Sequence, residues 1–187
     1  MVVPVLALPA AAQPVQIRPA TADDADAIAE LHAASWRRTY GDVLNASYLE
    51  IAALADRRAV WAQRFAEPKA KQCVLVAEDE NGIAGFACAY AGAHEQWGSY
   101  LDNLHVRESV QGQGIGEVLL RRMARWCAQQ APGQGLHLLV NQDNLRAQHF
   151  YRRLGAHNAQ SGVWNAPDGS AVPTFWFVWD SVEELVR

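Results

Sequence analysis

Apolar residues recur along this chain with helical spacing in some stretches and strand spacing in others, and the switches outline the fold. Val15 to Arg18 has strand character. Pro19-Ala-Thr21 follows, and Asp24 stands three positions after Thr21, as in a helix-capping box. A first helix is predicted from about Asp23 to Arg38, with Ile28, Leu31, His32 and Ser35 near one face; Trp36, Arg37, Tyr40 and Gly41 mark its end. Asn45-Ala-Ser47 can cap a second helix with apolar positions Tyr48, Leu49, Ile51, Leu54, Val60, Trp61 and Phe65, and Pro68 stops it. Cys73 to Ala77 and Ile83 to Ala91 read as strands joined by Glu78-Asp-Glu-Asn-Gly82, whose Asn-Gly pair favours a hairpin, with Gly85 as a candidate bulge. Leu101, Leu104 and Val106 form a further strand. From Ile115 the spacing turns helical, with Ile115, Val118, Leu119, Met123, Trp126 and Cys127 in one stripe. Pro132-Gly133 breaks that helix. Leu136 to Val140 is a short apolar strand, Leu145 to Leu154 is a helix ended by Gly155, and Val163-Trp164 and Thr174 to Trp179 form a closing pair around Pro167-Asp-Gly-Ser170.

The resulting order, β-α-α-β-β-β-α-β-α-β-β, implies an α/β fold with a mixed sheet and helices on both faces. With 187 residues, 50% hydrophobic and 19% charged, the chain is expected to fold as one domain over residues 15–187, behind an Ala- and Pro-rich N-terminal arm of residues 1–14. Ala10-Ala11-Ala12 is similar to a signal cleavage site, but no Lys or Arg precedes it, so a cytoplasmic protein is expected. A net charge of −4 argues against a nucleic-acid binder. No apolar run approaches membrane-spanning length. Cys73, Cys88 and Cys127 show neither zinc-ligand nor disulfide spacing, so no metal is expected and the thiols read as buried and reduced.

The most informative stretch joins the third hairpin strand to the long helix. Gly112, Gly114 and Gly116 fall at every second residue, just where strand spacing gives way to helical spacing. Glycines let a ligand approach the backbone, and a helix beginning there adds unpaired N–H groups and the positive end of its dipole. The product is an anion site, most naturally for a diphosphate. Gly116-Glu117-Val118 lacks the Gly-Lys-Ser/Thr of nucleotide triphosphatases, and Glu117 stands where a dinucleotide fingerprint needs a third glycine.

What remains, Gln111-x-x-Gly114-x-Gly116 after a strand, resembles the acetyl-CoA pyrophosphate loop of the GNAT N-acetyltransferase superfamily. The stretch Asn144, Ala147, Phe150-Tyr151, Leu154-Gly155 just after the fifth strand closely resembles a second GNAT motif. Together the motifs cover roughly residues 100 to 156. The resemblance implies a mostly antiparallel GNAT sheet, acetyl-CoA as cosubstrate, and direct acetyl transfer to an amine. It implies that Gln111, Gly112, Gln113, Gly114, Ile115 and Gly116 bind the pyrophosphate and that backbone groups of Leu104 and Val106 hold the thioester arm. It further implies that Asn144 binds pantetheine and that Tyr151 protonates the departing thiolate.

Asn144, Ala147 and Tyr151 share one helical face, and Asn144 and Tyr151 would lie roughly 10 Å apart along its axis. Strict alternation would put Tyr100, Asp102, Leu104 and Val106 on one strand face and Asn103 and His105 on the other. Asp102 is then the first candidate for general base, against a structural carboxylate; His105 reads as structural, and Glu30 and His32 are weaker candidates. Trp36 and Tyr40 can wall an amine site or pack the helix. His32-x-x-Ser-Trp-Arg-x-x-Tyr-Gly41 looks like the substrate-side opening of a GNAT subgroup acting on polyamines and small amines. A primary amine of a small-molecule amine or polyamine is the expected acceptor, with protein N-terminal or lysine acetylation and a CoA-binding sensor as alternatives. Trp164, Trp176 and Trp179 can pack the last hairpin or a homodimer contact.

Overall fold

The computed structural model describes residues 15–186. The expected arm, residues 1–14, lies outside the described residues. Seven strands form one sheet in the order β1-β2-β3-β4-β5-β7-β6. They are β1 (Gln16–Pro19), β2 (Gln72–Asp79), β3 (Gly82–His94), β4 (Gly98–Val106), β5 (Leu136–Asn141), β6 (His157–Asn165) and β7 (Ala171–Trp179). The helices are α1 (Ala25–Thr39), α2 (Ala53–Ala66), α3 (Ile115–Gln130) and α4 (Leu145–Arg153). This is the expected order, and every pairing is antiparallel except β4 with β5.

Local chemistry sets the element ends. The Asp24 carboxylate accepts the Thr21 N–H at 2.8 Å and is clamped by Arg18, so the first turn is capped as expected. Asp79 pairs with Gly82, leaving Glu80-Asn81 as a two-residue turn. The bulge near Gly85 is at Ala84, opposite the Ala77–Glu78 step.

Apolar side chains fill both faces. Leu119, Leu120 and Met123 of α3 pack with Ala87, Leu101, Leu136, Leu138, Phe177 and Trp179; Ile28 of α1 and Trp61 of α2 pack with Val76 and Phe86. Two expected stripes are rotated. In α3, Val118 is 46% exposed, whereas Leu120 and Ala124 are buried, because the last turn, Val182–Leu185, packs along that flank. In α2, Ile51 is exposed: a wide π turn at Tyr48–Ala52 shifts the helical phase, and the buried row becomes Leu49, Ala53, Arg57 and Trp61.

Three imidazoles sit in these layers. His32 accepts from Trp61 Nε1 at 3.1 Å, His105 Nδ1 lies 2.8 Å from Ser35 Oγ, and His137 stacks between Tyr100 and Trp176. Burial lowers all three pKa values, to about 4 for His105 and His137, and the charge of His105 lowers His32 further. Their folded values lie below the unfolded value near 6.5, so the unfolded chain binds more protons in between. Stability is therefore full above pH 6.5 and falls as the pH drops towards 4, by up to about 1.4 kcal/mol per imidazole per pH unit. Urea unfolding at pH 7, 6 and 5 measures this; a flat free energy across the three would overturn it.

Candidate active site

The site grows from a gap in the sheet. β4 and β5 pair only at Ser99–Leu136 and Tyr100–His137, while β5 pairs with β7 along its whole length. Beyond Tyr100 the two strands part. Arg107 N–H donates to Ala84 C=O at 2.8 Å, and backbone groups alternate sides along a strand. His105 and Asn103 therefore address β3, and Leu104 and Val106 turn their backbone groups into the wedge. Their side chains pack on the core under α3, as expected.

At the open end of the wedge the chain makes the glycine turn. Gly112 and Gly114 have φ of +82° and +85°, a region that disfavours any side chain. A Cβ at either position would meet nothing within 4 Å, so the turn is open above its backbone. Gly114 is the N-cap of α3 and offers no side-chain cap; Val118 N–H is the one that reaches Gly114 C=O. The preceding N–H groups of Ile115, Gly116 and Glu117 have no acceptor within the helix, and with Gly112 and Gln113 beside them they form a cradle for an anion. Gly116 packs its Cα side towards Phe150 and Val106. Gln111 is turned inward: its side-chain amide donates to Val106 C=O at 2.8 Å and its backbone N–H to Glu108 C=O. It holds the turn on the strand. The sequence did not reveal that Arg121 and Arg153 both pair with Glu117, at 3.0 and 3.3 Å, neutralising the one carboxylate on the cradle and tying α3 to α4.

α4 lines the other side. Asn144 Oδ1 accepts Ala147 N–H at 3.0 Å and caps the helix, which leaves its Nδ2 donor. Gln148, unmarked in the sequence, is buried and donates to Asn141 and Gln142 carbonyls, binding α4 to the end of β5. Tyr151 is 9% exposed among Phe150, Phe177 and Trp179. Burial lifts its pKa well above the ordinary phenol range, with a further push from Tyr40. It is protonated at neutral pH and so holds a proton it can donate.

The strand face of Asp102 differs from strict alternation. Cys88 faces Asn103 and Ala89 faces Leu101, so Asp102 is an extra, bulged residue. The bulge turns Asp102 and Asn103 to the same side, where Arg64 meets both, at 2.7 Å and 2.9 Å, while Leu104 and Val106 take the opposite side. The Tyr100 phenol is raised above its usual range by burial and then by the Asp102 charge. Tyr40 acts electrostatically on both Tyr100 and Tyr151, and its own pKa is pushed up to about 12 by burial.

Trp36 is 5% exposed, and the Arg57 guanidinium covers its ring at 4.2 Å. With Tyr40 and Trp164 it belongs to an aromatic cluster with ring separations of 5.5–5.9 Å. Trp179 is fully buried and Trp176 stacks on His137, so the three tryptophans are engaged within the chain. Burial raises the thiol pKa values to about 11 for Cys73 and Cys127 and about 12 for Cys88, leaving them neutral. Among the described residues no helix is long and apolar enough to cross a membrane, and no cluster of three His, Cys, Asp or Glu side chains is placed to hold a metal ion.

Comparison with known proteins matches this architecture. The Bacillus subtilis (strain 168) protein named as the uncharacterized N-acetyltransferase YuaI is 32% identical over 118 residues, which span 62% of this chain and 65% of that protein. In structure, a GCN5-related N-acetyltransferase from Rhodopseudomonas palustris superposes with a TM-score of 0.70 at 19% identity, covering 91% of this chain and 98% of the other. The PaiA N-acetyltransferase of Thermoplasma acidophilum, solved with coenzyme A, gives 0.65 at 17% identity over 87% and 98% of the two chains. Salmonella typhimurium yncA, solved with acetyl-CoA, gives 0.63 at 19% identity over 90% and 94%. The family model of the acetyltransferase (GNAT) family matches residues 26–156, well over half of the sequence. The chain is a member of the GNAT acetyltransferase family.

Proposed function

We propose that this protein transfers an acetyl group from acetyl-CoA directly to the primary amine of a small molecule. The observation that carries the reading is the parting of β4 from β5 beside an uncapped, glycine-opened helix N-terminus. The backbone N–H groups at residues 112–117 suit a diphosphate, the wedge-facing groups of Leu104 and Val106 suit an extended amide-bearing arm, and the free Nδ2 of Asn144 suits one of its carbonyls. When bound, acetyl-CoA supplies the activated acyl group. A backbone donor in the wedge polarises the thioester carbonyl. Asp102, directly or through water, takes the proton of the attacking amine, and Tyr151 gives one to the leaving sulfur.

The small-molecule acceptor draws support from the final hairpin. Ala166, Val172 and Trp164 pack against Trp36, Leu44 and Leu49, and Asp168 accepts Asn45 N–H at 2.6 Å. The space between the first two helices and β6–β7, which a peptide groove would need, is filled. The relatives solved with coenzyme A and acetyl-CoA support the cosubstrate.

Calorimetry with acetyl-CoA, using ATP as a comparison ligand, tests the cradle. Gly114→Glu pays about 1–2 kcal/mol for its left-handed backbone and sets a like charge against the diphosphate, so affinity is expected to fall roughly a hundredfold or more. Absence of acetyl-CoA binding to the unaltered protein would overturn the reading. Tyr151→Phe is expected to lower kcat roughly a hundredfold with acetyl-CoA affinity unchanged. Turnover at the original rate would remove Tyr151 from the proton path.

A further inference from the structure

The wall that carries Asp102 belongs to an open cleft of about 610 Å³ whose charge the acetyl-transfer step does not require. Arg64, Lys69, Lys71, Tyr90, Tyr100 and Asp102 line it, together with the β3 backbone at residues 91–93. The single lining carboxylate, Asp102, is matched by Arg64 at 2.7 Å. Two lysines are left in excess. Neither forms an ion pair among the described residues, and the Lys69 ammonium lies 5.5 Å from the Tyr90 ring centre. Lys71 is the one described non-glycine residue with positive φ, +55°, and its carbonyl accepts Ala91 N–H at 3.0 Å, which fixes it on the rim. An unfavourable backbone position is thus occupied by a cationic residue where glycine would be easier.

We propose that this cleft seats the anionic end of the acceptor, a small primary amine that also bears a carboxylate. The amine sits at Asp102 and the carboxylate between Lys69 and Lys71; the inference rests on the acetyl-transfer reading and names its substrate class. Gln72, Tyr90 and Tyr100 are in register on three adjacent strands; Lys71 is one residue to one side of that row and Asp102 two residues to the other, so two strand spacings and three residues put their backbones roughly 14 Å apart. The lysine side chains shorten that gap to the length of a short amino acid. A polyamine fits this charge poorly. Its second ammonium would face two lysines, and the Trp36 ring already carries the Arg57 guanidinium.

The test uses three acceptors that present a primary amine on the same four-carbon chain and differ at the far end. These are 4-aminobutyrate, n-butylamine and 1,4-diaminobutane, whose far ends are a carboxylate, a methyl group and an ammonium. With acetyl-CoA saturating, kcat/KM should be highest for 4-aminobutyrate, about tenfold above n-butylamine, and lowest for the diamine. In Lys69→Gln/Lys71→Gln the ratio of 4-aminobutyrate to n-butylamine should collapse towards one, through KM. Preference for the diamine, or a ratio that survives the double substitution, overturns the proposal while leaving acetyl transfer intact. If none of the three turns over, calorimetry on the CoA-loaded protein decides. Binding of 4-aminobutyrate that the double substitution abolishes upholds the cleft, and equal or absent binding overturns it. Failure to bind acetyl-CoA at all removes the underlying reading instead.

Discussion

Everything at the candidate site depends on one short parallel contact and on its ending. Ser99 N–H reaches Gly135 C=O at 2.9 Å, and here the two backbones touch: a Cβ on Gly98 would lie 2.3 Å from Gly135 O, and one on Gly135 would lie 2.6 Å from Trp179 O. No side chain fits at either position. Past Tyr100 each strand is held by its outer neighbour, β4 by β3 and β5 by β7, and no pairing remains between them. Backbone amides left without a ladder partner in a half-buried setting are costly unless something else bonds them. The sheet therefore keeps polar backbone in reserve at its centre, beside the turn whose glycines leave the start of α3 uncovered. Gln111, bonded to Val106 C=O, joins the two features so that the wedge and the anion cradle hold a fixed relation.

The two faces of that wedge are chemically unlike. On the side of α3 and α4 the groups are N–H donors and a phenol that burial keeps protonated. On the side of α1 and α2 they are ionic, with Arg64 held by Asp102 and Asn103 and Arg57 lying over Trp36. His32 and His105 sit on this second face, 4.7 Å apart, yet burial, with the neighbouring arginines, keeps them neutral. A pair of low-pKa imidazoles locked to Trp61 and Ser35 is a packing device, and it leaves Asp102 as the carboxylate bordering open space on that side.

Much of this was legible in the sequence. The element order and the glycine turn follow from periodicity and spacing, since apolar rows and glycines report local backbone directly, whereas the α4 motif was legible through its resemblance to the GNAT pattern. Strand extents were less legible: β6 runs from His157, although only Val163-Trp164 has an apolar look, because an edge strand with exposed positions carries polar residues. The strict alternation assumed for residues 100–106 fails at Asp102. Asp-Asn within an apolar run was the available sign, since both residues are disfavoured in regular strands. Partnerships between distant elements left no trace. Arg57 over Trp36, Arg153 with Glu117 and Gln148 on the β5 end are tertiary events that no spacing rule contains.

Those long-range contacts also decide how an acceptor would approach. The β6–β7 hairpin spends its apolar residues on the α1–α2 connection, where Trp164, Ala166 and Val172 meet Trp36, Leu44 and Leu49, and Asp168 fastens the loop. Tyr48 bonds Asp56, which in turn pairs with Arg57, so the guanidinium over Trp36 is itself anchored. Trp36 is thereby committed to the protein's own cation, and the aromatic wall suggested by its spacing from Tyr40 is a seal. With that side closed, Asp102 borders open space through the cleft beside Tyr90 and Tyr100. On the proposed reading, in which Asp102 is the base, an acceptor arriving by that route passes Lys69 and Lys71 before it reaches the carboxylate. Selection by charge then acts at the cleft rim, on the part of the acceptor that does not react.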